Sequence, residues 1–245
     1  MKVFELFKRM FFERSCAICG EPVSYDEEEP ICKDCEQDWF NLLTTRCNIC
    51  GCEKELCTCM PRQVTEISKS HVIWCVFYDK SSNQQANRMF YRLKQKGYTS
   101  IVNLMADRIS QVLVSSCYTR GIRYKQYAIT YVPRRKSNKR RYMFDQSEKI
   151  AKALSKKLNI PVFSCLENNS GNEQKKLSKA DRIENAINSY KMKKNAKVEY
   201  ENVFLVDDII TTGASMRACA IMLYENGAKN VIPVAFAKDN FKKGE

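Results

Sequence analysis

Two groups of residues in this 245-residue chain have types and spacings that could do chemistry. The first is the run Val203-Phe204-Leu205-Val206-Asp207-Asp208-Ile209-Ile210-Thr211-Thr212-Gly213-Ala214-Ser215. An apolar strand ends in two adjacent acids, and a short Thr/Gly loop then opens a helix. Carboxylates at a strand's carboxyl end can accept hydrogen bonds from a pair of ribose hydroxyls. Consecutive N–H groups from Thr211 to Ser215, at a helix N-terminus, make a nest for a phosphate. Gly213 would let backbone approach that phosphate closely, while Thr211, Thr212 and Ser215 add hydroxyl donors. The run lacks the Gly-Lys-Ser/Thr ending of a Walker loop. A strand-end turn or helix cap is the bland alternative, but a cap needs one acid and no Thr-Thr-Gly nest.

The second group is cysteine. Nine of the 13 cysteines precede residue 60, as Cys16-x2-Cys19, Cys32-x2-Cys35, Cys47-x2-Cys50, Cys52 and Cys57-x-Cys59. Close pairs of this kind form tetrathiolate zinc sites, since each tight knuckle points two sulfurs at one ion. Gly20 and Gly51, each just after a pair, permit the knuckle turn. Two structural zinc ions are expected, one on Cys16, Cys19, Cys32 and Cys35, the other on Cys47, Cys50, Cys57 and Cys59. Cys52 is then the spare thiol, with an exchange between Cys52 and Cys50 left open. Unliganded thiols and a redox Cys-x2-Cys are the alternatives. Against the former, about 45 residues hold too little apolar surface to fold unaided.

Charge divides the chain at the same place. The overall formal charge is +13, but residues 1–60 carry a net of −5 and residues 61–245 a net of +18. An acidic head, with a short amphipathic helix over 1–14 and the two cysteine sets (1–60), therefore precedes a basic body (61–245). A hydrophobic fraction of 44% suits a packed core. No apolar run is long enough for a membrane span, and residues 1–14 lack the apolar stretch of a secretory signal. The expected compartment is the cytoplasm, where clustered thiols stay reduced and point to metal.

In the body, apolar periodicity predicts strands at 71–78, 127–132, 162–166, 203–206 and 231–236. Helices are predicted at 81–96, 99–118, 146–158, 177–187 and 215–225. Alternating strands and helices imply a largely parallel, doubly wound sheet, which binds ligands beyond the carboxyl ends of its strands. The loop 133–145 holds six basic residues among the eight from Arg134 to Arg141. That cluster could grip a polyphosphate or nucleic-acid phosphates. Arg88, Arg92, Lys94 and Lys96, interleaved with Phe90, Tyr91 and Tyr98, could suit a single strand, whose bases stack on rings. Ordinary core and rim packing is the competing account of those rings. His71, Cys75, Cys117, Cys165 and Cys219 read as structural.

The 203–215 segment resembles the binding motif for phosphoribosyl pyrophosphate (PRPP) of type I phosphoribosyltransferases. The whole chain resembles the ComF family, in which a double zinc ribbon precedes a phosphoribosyltransferase-like body. Tyr131-Val132-Pro133-Arg134-Arg135, Phe144-Asp145-Gln146 and Gln174-x2-Leu177-Ser178-x3-Arg182-x2-Asn185 support the narrower match. Tyr142 and Met143 stand where that family usually has Arg-Gly, and Glu167 to Glu173 lacks its basic residues. The resemblance implies an α/β fold, a type I phosphoribosyltransferase-like parallel sheet behind a Cys-rich zinc ribbon domain. It implies that Asp207 and Asp208 hold the ribose of PRPP with Mg²⁺ and act in catalysis. Thr211, Thr212, Gly213, Ala214 and Ser215 would hold its 5′-phosphate, and Pro133, Arg134 and Arg135 would face the pyrophosphate. The implied function is PRPP-dependent transfer tied to DNA uptake or nucleotide metabolism. The alternative is a non-enzymatic accessory that binds single-stranded DNA, with PRPP a regulatory ligand. In either case the zinc head would dock a DNA-uptake helicase or another competence protein.

Overall fold

The computed structural model describes residues 14–24, 30–67, 72–78, 84–96, 99–135, 144–169 and 189–239. The head contributes β1 (Arg14–Ser15), β2 (Pro22–Val23) and α1 (Lys33–Thr44), followed by the short α2 (Arg62–Thr65). The body then runs β3 (Ile73–Tyr78), α3 (Gln84–Lys96), α4 (Thr99–Thr119), β4 (Ala128–Tyr131) and α5 (Gln146–Leu158). It finishes with β5 (Leu166–Asn168), β6 (Tyr190–Met192), β7 (Asn202–Ile210), α6 (Ala214–Glu225) and β8 (Asn230–Asp239). The expected helices at 1–14 and 177–187 lie outside the described residues, apart from Arg14. So do the loop residues 136–143, Tyr98, His71, Gln174, Leu177, Ser178, Arg182 and Asn185.

A four-stranded sheet in the order β3-β8-β7-β4, parallel throughout, forms the centre. Its two middle strands are apolar on both faces, as a sheet covered on both sides requires. Along β7, Val203 and Leu205 enter one core with α6, while Phe204 and Val206 enter the other with α4 and α5. Along β8, Val231 and Ala235 alternate with Ile232, Val234 and Phe236 in the same way. Helix α4 buries Ile101, Met105, Ile109, Leu113 and Cys117 at four-residue spacing against the second face. The structural cysteines Cys75, Cys117, Cys165 and Cys219 are all buried.

Helix α5 occupies the predicted span, because its ends are specified locally. Asp145 caps it by accepting the Glu148 N–H at 3.3 Å. Asn159 ends it in a left-handed turn (φ 49°), with Lys156 and Lys157 in the last turn.

Two elements differ from expectation. No strand spans 162–166: Val162 makes a single parallel bridge to Ile129, and β5 pairs antiparallel with β6 in a separate ribbon. The chain leaves the sheet there because the Phe163 carbonyl is taken by the Thr130 hydroxyl at 3.1 Å and the Cys165 carbonyl by the Lys193 N–H at 2.7 Å. Strand β7 is longer than 203–206 and carries both acids within it. β8 offers it a ladder partner to the end, with Ala235 and Ala237 opposite Asp207 and Ile209.

The head packs on the body. Trp39 of α1 stacks on Phe236 of β8 with ring centroids 6.2 Å apart and planes 6° from parallel. Phe90 of α3 meets the same ring edge-on at 6.0 Å. No helix among the described residues is long and apolar enough to cross a membrane.

Candidate functional site

Asp207 and Asp208 stand at the carboxyl end of central strand β7, where open parallel sheets place ligands. The N-terminus of α5 holds them. Asp207 accepts the Ser147 hydroxyl at 2.8 Å and the Asp208 N–H at 2.9 Å through the same oxygen. Asp208 accepts the Ile209 N–H at 2.8 Å and the Gln146 amide at 3.4 Å. Burial and then the adjacent charge of Asp208 push the Asp207 carboxyl well above the usual carboxylate range. The Ser147 hydroxyl and the Asp208 N–H oppose that rise, and Asp145 adds to it.

Asp145 ties a third segment into the site. While capping α5, it also accepts the Arg134 N–H at 2.7 Å. Pro133 is buried, Arg134 is half-buried, and Arg135 bridges in parallel to Asn168 of β5. The structure thus links the start of the basic loop to the acid pair through one helix end. Gln146, part of the Phe144-Asp145-Gln146 motif, and Ser147, which no motif marks, are in direct contact with the acids. The legible signal is Asp145 three residues before Glu148, which marks a helix start beside Pro133 to Arg135.

The Thr/Gly loop follows as expected, with Thr211 and Thr212 exposed. Gly213 is the N-cap of α6 at φ 77°, and no side chain caps this helix. First-turn N–H groups such as those of Ser215 and Met216 have no intrahelical partner by position. Ala214 N–H reaches only the Thr212 hydroxyl, at 3.4 Å. The space beside Gly213 belongs to the chain itself. A Cβ there would lie 2.1 Å from Cγ2 of Val64 in α2. Gly213 is therefore required by its left-handed turn and by the seat of the linker helix, rather than by approach of a phosphate on that side. Glu66, just after α2, binds Arg217 of α6 at 2.9 Å.

Tyr190 also belongs to this region and was not foreseen. Burial pushes its hydroxyl up, opposed by hydrogen bonding with Ser215 and Asn168.

The cysteines gather into the two expected sets: Cys16, Cys19, Cys32 and Cys35; and Cys47, Cys50, Cys57 and Cys59. Within each, all sulfurs lie within 4.8 Å of one another. Sulfur pairs at 3.5 Å (Cys19 and Cys32) and 3.9 Å (Cys50 and Cys57) straddle the roughly 3.8 Å edge of a tetrahedral zinc–thiolate site. The donor set therefore fits zinc. The two knuckles repeat one backbone geometry. Gly20 N–H donates to Cys16 O at 3.1 Å and Gly51 N–H to Cys47 O at 2.8 Å; Cys16 N–H donates to Glu21 O and Cys47 N–H to Cys52 O. Gly20 (φ 96°) and Gly51 (φ 72°) both take the left-handed turn. Cys52 thus corresponds to Glu21, one place past the knuckle glycine, and stays outside the second set. The Cys52 N–H brings the Cys50 thiol down to about 6. At Cys16 burial raises the thiol, but N–H groups of Cys19, Cys32 and Ile18 outweigh it and bring it to about 7. Burial holds Cys57 up at about 12.

Comparison with known proteins agrees with this architecture. Residues 145–245 match the phosphoribosyl transferase domain family. The chain is 22% identical over 233 residues to competence protein ComFC of Bacillus subtilis, covering 86% of this chain and 89% of that protein. Among solved structures, a hypoxanthine phosphoribosyltransferase of Trypanosoma cruzi in a ternary substrates complex aligns at 15% identity and TM-score 0.35, over 56% of this chain and 67% of that one. One from Staphylococcus aureus aligns at 11% identity and TM-score 0.34, over 56% and 73%. The family match over 145–245 takes in α5, β7, α6 and β8, and two zinc-compatible cysteine clusters lie ahead of it in the chain. The chain is thus similar to a competence protein along most of its length and to the phosphoribosyl transferase domain over its last part.

Two outcomes are expected. Elemental analysis should find about two zinc ions per chain, one in Cys50→Ser and two in Cys52→Ser; a loss in Cys52→Ser instead would reassign the fourth ligand. The second concerns Asp207. A carboxyl raised in the folded chain binds its proton more tightly folded than unfolded. The stability it withholds therefore grows as pH rises from the ordinary carboxylate range through the raised value. Asp207→Asn should accordingly melt at least about 2 °C above the wild type at mildly alkaline pH, with the gap narrowing as pH is lowered. A variant that melts below the wild type throughout would show that the ionised acid is not a cost to the fold.

Proposed function

We propose that this protein binds PRPP with Mg²⁺ at the carboxyl ends of β7 and β4. The observation that carries this reading is the acid pair held by α5 at the end of the central strand, followed at once by the uncapped N-terminus of α6. Asp207 and Asp208 would accept the ribose hydroxyls and, with them, hold the Mg²⁺. Thr211, Thr212, Gly213, Ala214 and Ser215 would surround the 5′-phosphate, and Pro133, Arg134 and Arg135 would lie beside the pyrophosphate. In the transfer reaction the bond from the anomeric carbon to pyrophosphate breaks and its electrons leave with pyrophosphate. Positive charge develops on the sugar. The carboxylates would stabilise that charge, and the arginines the leaving group. The acceptor then supplies the pair for the new bond.

The head (1–60) and body (61–245) would act as two units, the zinc head docking a competence partner. The similarity to a competence protein of Bacillus subtilis supports that link. Isothermal titration with Mg²⁺ and PRPP should give saturable binding, weakened at least about tenfold in Asp207→Ala and Asp208→Ala, since a hydrogen bond to a charged group contributes about 1.5–3 kcal/mol. Equal binding by wild type and variants would remove the site from this surface.

A second reading, single-strand binding, is favoured by one face of α3. Tyr91 is 64% exposed between exposed Arg88 and Lys94, at three-residue spacing, while Phe90 is committed to the core. Stacking of one base is worth about 1–3 kcal/mol. Fluorescence anisotropy with a single-stranded oligonucleotide should thus show salt-sensitive binding weakened at least about fivefold by Tyr91→Ala. Salt-insensitive or unchanged binding would refute this face.

A further inference from the structure

Lys238, near the end of β8, is 1% exposed. Its strand register pairs it with Ile210 of β7. The side chain passes the rings of Phe77 (5.0 Å) and Trp74 (5.7 Å), and Nζ ends 3.7 Å from Sγ of Cys57. Among the described residues its ammonium meets no carboxylate within ion-pair distance. A buried ammonium without a counter-charge is strongly unfavourable, and two ring faces offset only part of the lost hydration. Neutral thiols are weak acceptors and would not balance it. Four thiolates on one zinc ion carry a net charge of −2.

We infer that the metal-bound tetrathiolate of Cys47, Cys50, Cys57 and Cys59 is the counter-ion of Lys238, so that the second zinc centre is built across the head–body contact and completed by a residue of the sheet. Cys47 and Cys57 are buried together with Phe77, and Ile49, Cys52, Cys59 and Trp74 pack around them. The centre is thus seated on β3 and β8 rather than held away from them. The first centre meets the body through a cation as well: Arg92 of α3 donates to Cys19 O at 2.8 Å, and its guanidinium fills the space where a Cβ on Gly20 would stand. That contact is to a carbonyl at the knuckle, not to a sulfur. Lys238 is therefore a positioning residue for the second centre alone.

Zinc release from the full chain to a chromogenic chelator should show two phases, the second-centre phase identified by its absence in Cys50→Ser. In Lys238→Met that phase should be about 10–100 times faster, with the first-centre phase unchanged and Lys238→Arg closer to wild type. An unchanged second phase would overturn the inference. If Lys238→Met does not fold, amine labelling of the wild-type chain with peptide mapping reads the same contact. Lys238 should be protected in the zinc-loaded protein and modified after chelation. Protection in both states, or modification in both, would equally overturn it.

Discussion

Asp207 and Asp208 place two adjacent acids at the end of a strand whose preceding four residues are fully buried, and much of the body's arrangement follows from holding them there. Their mutual repulsion and the loss of solvent around Asp207 both oppose ionisation. The compensation comes from the N-terminus of α5, whose Ser147 and Gln146 reach one acid each, and from the N–H groups of Asp208 and Ile209. That helix end is itself fixed by Asp145, which also fixes the Arg134 backbone. Three chain segments distant in sequence are thus set by one cap. The arrangement costs the folded chain stability wherever both acids are ionised.

The linker makes the loop beyond the acids dependent on the head. Val64 stands against the bare α-carbon of Gly213, Glu66 binds Arg217, and the Tyr224 hydroxyl donates to Ile67 O at 2.7 Å while accepting the Val231 N–H at 3.2 Å. The short segment after Cys59, the last cysteine of the head, therefore lies along α6 from its N-terminus to near its C-terminus. Displacing it would expose Val64 and remove support from the turn that presents the N–H groups of the loop.

What the sequence disclosed divides by physical cause. Elements with local instructions were legible: α5 through its Asp145 cap and Asn159 stop, α4 through its four-residue apolar stripe, and the cysteine sets through knuckle spacing and glycines. The acid pair and Thr/Gly loop were legible because their residue types serve no core. Features made by distant partners were not. The full length of β7 depends on the ladder that β8 offers. The single bridge at Val162 depends on side-chain and backbone donors from β4 and from just beyond β6. Helix α1 is a charged, cysteine-bearing stretch whose identity rests on Trp39 and Leu42 meeting the body. Tyr190 reaches the site only through the ribbon that β6 forms with β5, a pairing that no local pattern announces. Lys238, a charge near the end of a strand, reads as a solvated edge until the second cysteine set is brought against it.

The uneven charge of the chain acquires a structural sense from that last contact. Two tetrathiolate centres would lower the head from −5 to −9, facing a body of +18. Such opposite charges could attract loosely over many orientations. Here the attraction is made directional: one body cation enters each cysteine knuckle or cluster, and Trp39 fixes the remaining freedom by stacking on Phe236. Because Phe236 and Lys238 lie on the same strand, two residues apart on β8, the aromatic and ionic anchors hold one line along the sheet. That line runs beside β7 from the register of the acid pair to its last residue, Ile210. The position of the acids and the position of the second cysteine cluster are therefore set by the same pair of strands.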